Sequence, residues 1–224
     1  MFLDSYVLGR RATDASGRTT QWRRSSTSVV RVAVLAVLTA LVAVLGPAFS
    51  ASAADRPHME IVNGLSGPLR LDVMWASQNP YTGVFLWPDN NSLSQEFDLL
   101  DSHNGYFQIR ARHSGQCLML DWRGGTYVNG TRVIQYPSCS AGYAPAEWQE
   151  RWVYPTTGSG FPVPVKLLVN RRTGRCLDAA NAAGVTPPVQ AVLQQWDCIT
   201  STTAWNVRNQ DWHIVDPYYI PPIG

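Results

Sequence analysis

The sequence predicts an all-β domain made of three related units with pseudo-threefold symmetry, and three observations carry that expectation. The four cysteines fall into two pairs of identical separation, since the interval from Cys117 to Cys139 equals that from Cys176 to Cys198. Similar residues surround the first cysteine of each pair, Ser114-Gly115-Gln116-Cys117-Leu118 and Thr173-Gly174-Arg175-Cys176-Leu177, and a third copy, Leu69-Arg70-Leu71-Asp72-Val73, lies upstream. Self-similarity at this scale marks a repeat architecture. After residue 54 no stretch shows a sustained helical period with caps; short runs of Val, Ile, Leu and aromatic residues, separated by Gly, Asn, Ser and Pro, read as strands instead.

The chain begins with a different kind of segment. Val32 to Leu45 is an unbroken apolar run, save one Thr, behind Arg31, followed by Gly46-Pro47 and the small residues Ser50-Ala51-Ser52-Ala53-Ala54. Spanning a bilayer takes about 20 apolar residues, and this run is shorter. A basic leading stretch, a short apolar run and an A-x-A site read as a secretory signal peptide with a long basic n-region over residues 1–54. The charge balance agrees. The whole chain has 18 basic and 16 acidic residues, for a formal +2. Residues 1–54 hold six arginines (Arg10, Arg11, Arg18, Arg23, Arg24, Arg31) and two aspartates (Asp4, Asp14), which leaves 12 basic and 14 acidic residues and a net of −2 for the remainder. No block of like charge survives there, so nucleic acid is not an expected partner. The secreted domain is expected to have no membrane contact once the signal is removed.

Within the domain, the anchors Arg70, Cys117 and Cys176 recur once per unit, and the units run over about 59–105, 106–160 and 161–215. Each anchor is followed by a second strand: Val84-Phe85-Leu86-Trp87-Pro88-Asp89, Val133-Ile134-Gln135-Tyr136-Pro137-Ser138-Cys139 and Val192-Leu193-Gln194-Gln195-Trp196-Asp197-Cys198. Four cysteines allow three pairings, one of which closes the two equal loops. Metal ligation would want paired C-x-x-C spacing or clustered histidines, which are absent, so two disulfides and no metal or cofactor are expected. Arg70 and Asp89 stand where the first unit lacks cysteines, and an ion pair between them is expected. The units close on Gln95-Glu96-Phe97, Glu150-Arg151-Trp152 and Gln210-Asp211-Trp212, with Phe97, Trp152 and Trp212 meeting at a shared centre.

A C-L-D strand, a Q-x-W-x-C strand and a closing Q-x-W, three times over, resemble the ricin-B-type β-trefoil lectins. The resemblance covers about residues 59–215 and is fullest in the third unit, with Cys176-Leu177-Asp178, Gln194-Gln195-Trp196-Asp197-Cys198 and Asn209-Gln210-Asp211-Trp212. It implies a β-trefoil domain over 55–216, a six-stranded barrel capped by three hairpins with one sugar pocket per repeat, followed by a Pro/Tyr-rich tail over 217–224. A pyranose presents paired hydroxyls at its edge and C–H groups on its face, so its site needs a carboxylate or amide and an aromatic ring.

The family pattern, carried over, implies a site in the third repeat in which Asp178 accepts sugar hydroxyls and Trp196 stacks on the ring. Asn209 bonds a hydroxyl, Gln210 orients Asp178, and Gln194 lines the strand. The first repeat keeps Asp72, Trp87 and Gln95 but has Ser94 and Phe85 at the Asn and Gln positions, which implies a second, weaker site. The second repeat has Met119 for Asp, Pro137 at the aromatic position and Glu150 at the Gln position, and reads as structural. The stretch from Ile199 to Asn206, with Trp205, is an insertion beside the third pocket.

No paired catalytic carboxylates, nucleophile elbow or phosphate loop appears, and no catalysis is expected. The expected function is that of a secreted, extracellular lectin for a neutral glycan, galactose- or xylan-type, acting mainly through the third repeat. The alternative is a protein-binding β-trefoil, such as a protease inhibitor or the targeting subunit of a secreted complex, since a fold does not dictate a function. Asp216-Pro217-Tyr218-Tyr219-Ile220-Pro221-Pro222 has the composition of an extended docking tail.

Overall fold

A computed structural model describes residues 54–64, 69–156, 160–181, 185–199 and 208–219. The expected signal segment (save Ala54), Trp205 with its insertion from residue 200 onward, and the end of the tail from Ile220 lie outside the described residues. Apart from two single 3-10 turns, Met74–Ala76 and Ala144–Ala146, the regular secondary structure described is all strand. The twelve strands are β1 (Arg56–Asn63), β2 (Leu69–Val73), β3 (Val84–Pro88), β4 (Phe97–Asp101), β5 (Phe107–Ala111), β6 (Cys117–Leu120), β7 (Val133–Tyr136), β8 (Glu147–Val153), β9 (Val165–Asn170), β10 (Cys176–Ala179), β11 (Leu193–Trp196) and β12 (Trp212–Val215). Among the described residues no helix is long and apolar enough to cross a membrane.

The strands divide into four per unit. The first and fourth of each unit build a barrel, through antiparallel pairs β12–β1, β1–β4, β4–β5, β5–β8 and β8–β9. At the seam between β9 and β12, Lys166 N–H donates to the Asp211 carboxylate at 3.4 Å. The second and third strands form three hairpins, β2–β3, β6–β7 and β10–β11. Each hairpin bonds to the next through an equivalent residue: Gln190 N–H donates to Leu86 O, Tyr81 N–H to Gln135 O, and Gly130 N–H to Gln195 O, all at 2.7–2.9 Å. The fold is a β-trefoil, as the repeats predict.

The barrel core is set by one aromatic per unit, and here the structure corrects the sequence reading. Phe97 pairs with Ala111, Trp148 with Asn170 and Trp212 with Asn63, so these three occupy one position of the threefold frame, each with no exposed surface. The closing segment of the second unit is therefore Ala146-Glu147-Trp148, four residues upstream of the expected Glu150-Arg151-Trp152. Trp152 lies at the end of β8, 49% exposed, with the Lys166 ammonium 4.8 Å from its ring centre. The two tryptophans are easily exchanged when the units are aligned by interval. Trp152 follows Tyr136 at the same interval at which Trp212 follows Trp196, but the latter interval contains the third unit's insertion. Trp148 and Trp152 also share strand parity, so alternation alone cannot separate them.

An acidic residue precedes each core aromatic, and each is buried: Glu96, Glu147 and Asp211. Their backbone carbonyls accept equivalent bonds from Arg112, Arg171 and Gly64. Burial opposes the charge of Glu147, but hydrogen bonds from Ser102, Arg171 (2.6 Å) and Gly142 N–H (2.6 Å) outweigh it and hold its pKa below the ordinary value.

The hairpins are fastened at their open ends. Cys117–Cys139 and Cys176–Cys198 form disulfides, and the first unit has the expected ion pair there, Arg70 to Asp89 at 3.1 Å, with Glu60 also on Arg70 at 2.5 Å. The ion pair is half-exposed at Asp89 and contributes about 0–1 kcal/mol, against about 3 kcal/mol for each disulfide. The described part of the tail lies against its own barrel, where the Tyr218 hydroxyl donates to Glu96 at 2.9 Å and its ring meets His58 edge-on at 5.6 Å.

The two tryptophans of β8 should differ sharply in urea denaturation. Trp148→Ala should cost about 3–5 kcal/mol and Trp152→Ala about 1 kcal/mol or less. Equal costs would contradict the assignment of Trp148 to the core.

Candidate carbohydrate site

The hairpin registers bring four positions of each unit together. Cys176 lies opposite Trp196 and Asp178 opposite Gln194; in the first unit Arg70 lies opposite Trp87 and Asp72 opposite Phe85. In the second unit Cys117 lies opposite Tyr136 and Met119 opposite Ile134. Side chains two apart on a strand share a face, so the aromatic and the carboxylate positions are neighbours on one surface. The closing segment supplies a fifth position: Gln210, Gln95 and Ala146.

This register makes Tyr136, not Pro137, the aromatic of the second unit. The equal cysteine separations hid the shift. Trp196 stands two positions before Cys198, whereas Tyr136 stands three before Cys139, and the stretch from first cysteine to aromatic is one position shorter in the second unit. A shortened hairpin and a lengthened exit cancel in the sum.

In the third repeat the other four residues that the sequence points to gather about the carboxylate of the fifth, Asp178. Asp178 is 1% exposed. Its Oδ1 accepts from Gln194 at 2.9 Å, and its Oδ2 from Asn209 at 2.7 Å and Gln210 at 2.9 Å. Gln210 is itself held, donating to Asp197 O at 3.1 Å and accepting from Ile199 N–H at 2.8 Å. Burial pushes the Asp178 carboxyl above the ordinary aspartate range, against the hydrogen bonds from Gln194 and Gln210. Trp196 stands beside this set, 43% exposed. A contribution the sequence did not reveal comes from the neighbouring hairpin. Asn129 bonds both the side chain (2.8 Å) and the N–H (3.0 Å) of Asp197, which fixes the residue next to Trp196. Gly130 follows in the left-handed region at φ +87, where a glycine is strongly favoured.

The first repeat reproduces the frame with different side chains. Gln95 donates to Asp72 Oδ2 at 3.1 Å and to Pro88 O at 2.9 Å, and accepts from Asn90 N–H at 3.0 Å, the same three roles that Gln210 fills. Burial raises the Asp72 pKa, with Ser94 and Gln95 opposing the shift. Asp72, Phe85, Trp87, Asn90, Ser92 and Ser94 line a cavity of about 210 Å³, together with Trp75 and Ala76. Trp75 was not singled out by the sequence, because a left-handed turn rather than strand alternation brings it to the pocket.

In the second repeat the corresponding positions are sealed. Met119, Ile134 and Ala146 pack as a small apolar cluster with Tyr136 against it. Nearby Asp121 is neutralised by Arg123, whose Nε and Nη2 donate to its two oxygens at 2.8 and 2.7 Å. Glu150, expected at the Gln position, instead bridges Arg56 (2.8 Å) and Lys166 (2.7 Å) on the barrel. Among the described residues no group of three or more His, Cys, Asp or Glu side chains is placed to hold a metal.

Over part of its length this β-trefoil is similar to lectin-type domains. Residues 48–136 match the model of the ricin-type beta-trefoil lectin domain-like family. A search of curated proteins finds no match. Among solved structures, the designed threefold-symmetric protein ThreeFoil is 29% identical, with a TM-score of 0.55 over 71% of this chain and 98% of that one. An exo-beta-1,3-galactanase from Clostridium thermocellum is 26% identical with a TM-score of 0.55; the match spans 71% of this chain but only 30% of the galactanase. The Polyporus squamosus lectin, 18% identical over 71% of this chain and 49% of its own with a TM-score of 0.52, shares the fold.

The hydrogen bonds on Asp178 can be tested without a ligand. A carboxyl whose folded pKa is raised stabilises the fold below its unfolded pKa and loses that contribution as pH rises through the folded value. Gln210→Ala removes a donor and raises the Asp178 pKa further. Its cost should be about 1–3 kcal/mol at pH 7 and smaller at pH 4 in denaturant titrations. A cost independent of pH would contradict the assigned role.

Proposed function

We propose that this chain is a secreted carbohydrate-binding protein that grips a neutral glycan through its third and first repeats and performs no catalysis. One observation carries the reading. Asp178 and Asp72 occupy the same register position, each held by a glutamine from the closing segment, each beside a tryptophan. A carboxylate fixed in this way accepts paired hydroxyls, and the ring next to it covers the C–H face of a pyranose. The third repeat offers the fuller polar set and the first a formed cavity; the sealed second repeat serves as structure.

Several further observations support the details. Residues 55–224 carry a net charge of −2 and no like-charge block, which favours an uncharged partner. Two disulfides belong to an oxidising compartment, in keeping with the leader read from residues 1–54. The similarity to part of a beta-1,3-galactanase favours a galactose-type over a xylan-type glycan. Two pockets on one rigid trefoil would engage a polymer with added avidity.

A glycan array of the protein, repeated with Trp196→Ala and with Asp72→Asn/Asp178→Asn, tests the reading. Loss of the ring should weaken binding by about 1–2 kcal/mol, roughly tenfold, and the double variant should lose binding altogether. Retention by a surface that free sugar does not compete would point to a protein partner instead.

A further inference from the structure

The first and third repeats stand on one frame, so their pockets can be compared position by position, and they differ in kind. Where Gln194 bonds Asp178 in the third repeat, the first has Phe85; where Asn209 bonds Asp178, the first has Ser94, whose hydroxyl pairs with that of Ser92 at 2.5 Å. The consequence shows on Asp72. Gln95 donates to its Oδ2 and the Ser94 hydroxyl also favours its charged form, but its Oδ1 is buried without a hydrogen-bond partner. A buried carboxylate oxygen without a donor is costly, and a ligand hydroxyl reaching it relieves that cost. The residue lines the cavity of about 210 Å³, smaller than the range typical of drug-sized ligands and suited to a single sugar ring.

Three rings bound this cavity, and they form a corner rather than one wall. Phe85 and Trp87 are stacked at 5.4 Å with 29° between their planes. Trp75 stands across both, 5.5 Å from Phe85 at 55° and 6.1 Å from Trp87 at 64°. Trp75 is 73% exposed, and it reaches this place from a backbone with φ +60, followed by Ala76 at φ +49. Two successive non-glycine residues in the left-handed region are unfavourable, and such strain is kept where it holds a side chain for a purpose. A ring this exposed adds little to the core, so its placement over the cavity is the feature to be explained.

We propose that the first-repeat pocket takes a pyranose that bears a methyl group, either the acetamido methyl of an N-acetylhexosamine or the C6 methyl of a 6-deoxyhexose, and that Trp75 confers this preference. Asp72 accepts a ring hydroxyl, Trp87 covers the sugar face, and Trp75 covers the methyl group. A single stacking wall reads only the ring face, whereas a corner also reads what projects from it. This assignment rests on the carbohydrate reading above and narrows it to one repeat.

Calorimetric titration of the full chain carrying Asp178→Asn isolates the first pocket, with D-galactose, N-acetyl-D-galactosamine and D-fucose, which differs from galactose only in its C6 methyl group, as probes. One or both methyl-bearing sugars should bind about tenfold more tightly than galactose, the size of effect an added methyl group has in an apolar pocket. Which of the two is preferred identifies the methyl group being read. Trp75→Ala in the same background should bring the three affinities together, while Trp75→Phe should keep part of the preference. Equal affinities for all three sugars, or a preference that survives Trp75→Ala, would overturn the assignment. Binding by the Asp72→Asn chain but not by the Asp178→Asn chain would overturn this pocket alone. Failure of the unmutated chain to bind any glycan of the array would overturn the carbohydrate reading itself.

Discussion

The pairing of two strands within each hairpin is the interaction on which the rest of the molecule depends. It places an aromatic opposite the fastened residue (Trp87 on Arg70, Tyr136 on Cys117, Trp196 on Cys176) and, two residues along, sets the character of the pocket floor. Because side chains alternate, a slip of one residue would turn both groups to the opposite face. The fastenings at the open ends and the bonds between hairpins oppose such a slip. Fastening differs among units: two covalent bonds and, in the first, the Arg70–Asp89 pair with Glu60 alongside. Threefold geometry thus survives where the chemistry that secures it does not.

The same frame supports three different floors. A carboxylate can be buried only if donors surround it, and the third repeat supplies three amides for Asp178. The first supplies fewer and replaces one with a ring. The second removes the carboxylate along with its partners: Met119, Ile134 and Ala146 are apolar together, so no polar group is stranded. That joint change is what a packed interior demands, since replacing one member alone would leave the others unsatisfied. The same rule governs the ring of buried acids at Glu96, Glu147 and Asp211, each of which meets a basic side chain or a backbone donor.

Much of the site was legible because its residues are tied to local spacing. Asp178 follows Cys176 by two within β10 and Gln194 precedes Trp196 by two within β11, and offsets inside one strand survive a change in loop length. Offsets that run past a strand end did not. The third unit's insertion made Trp152 appear to match Trp212, and two compensating one-residue changes made Pro137 appear to match Trp196. Trp75 and Asn129 were not recognised because each reaches its pocket through a turn or from a neighbouring hairpin, and neither relation leaves a period in the chain.

By itself the sequence determined the three units, the all-β character, the disulfide and ion-pair fastenings, and the residues around Asp178. These follow from local chemistry: strand-forming runs, turn residues, and side chains at fixed offsets. Only the tertiary structure decided which aromatic of β8 enters the barrel, since Trp148 and Trp152 differ in nothing except their level against Phe97 and Trp212. It also decided that Trp75 closes the first pocket and that the second is sealed. The level of the core aromatics is settled by packing across the threefold frame, whereas the two pockets are settled within a unit, by a left-handed turn in the first and by apolar side chains of hairpin and closing segment meeting in the second.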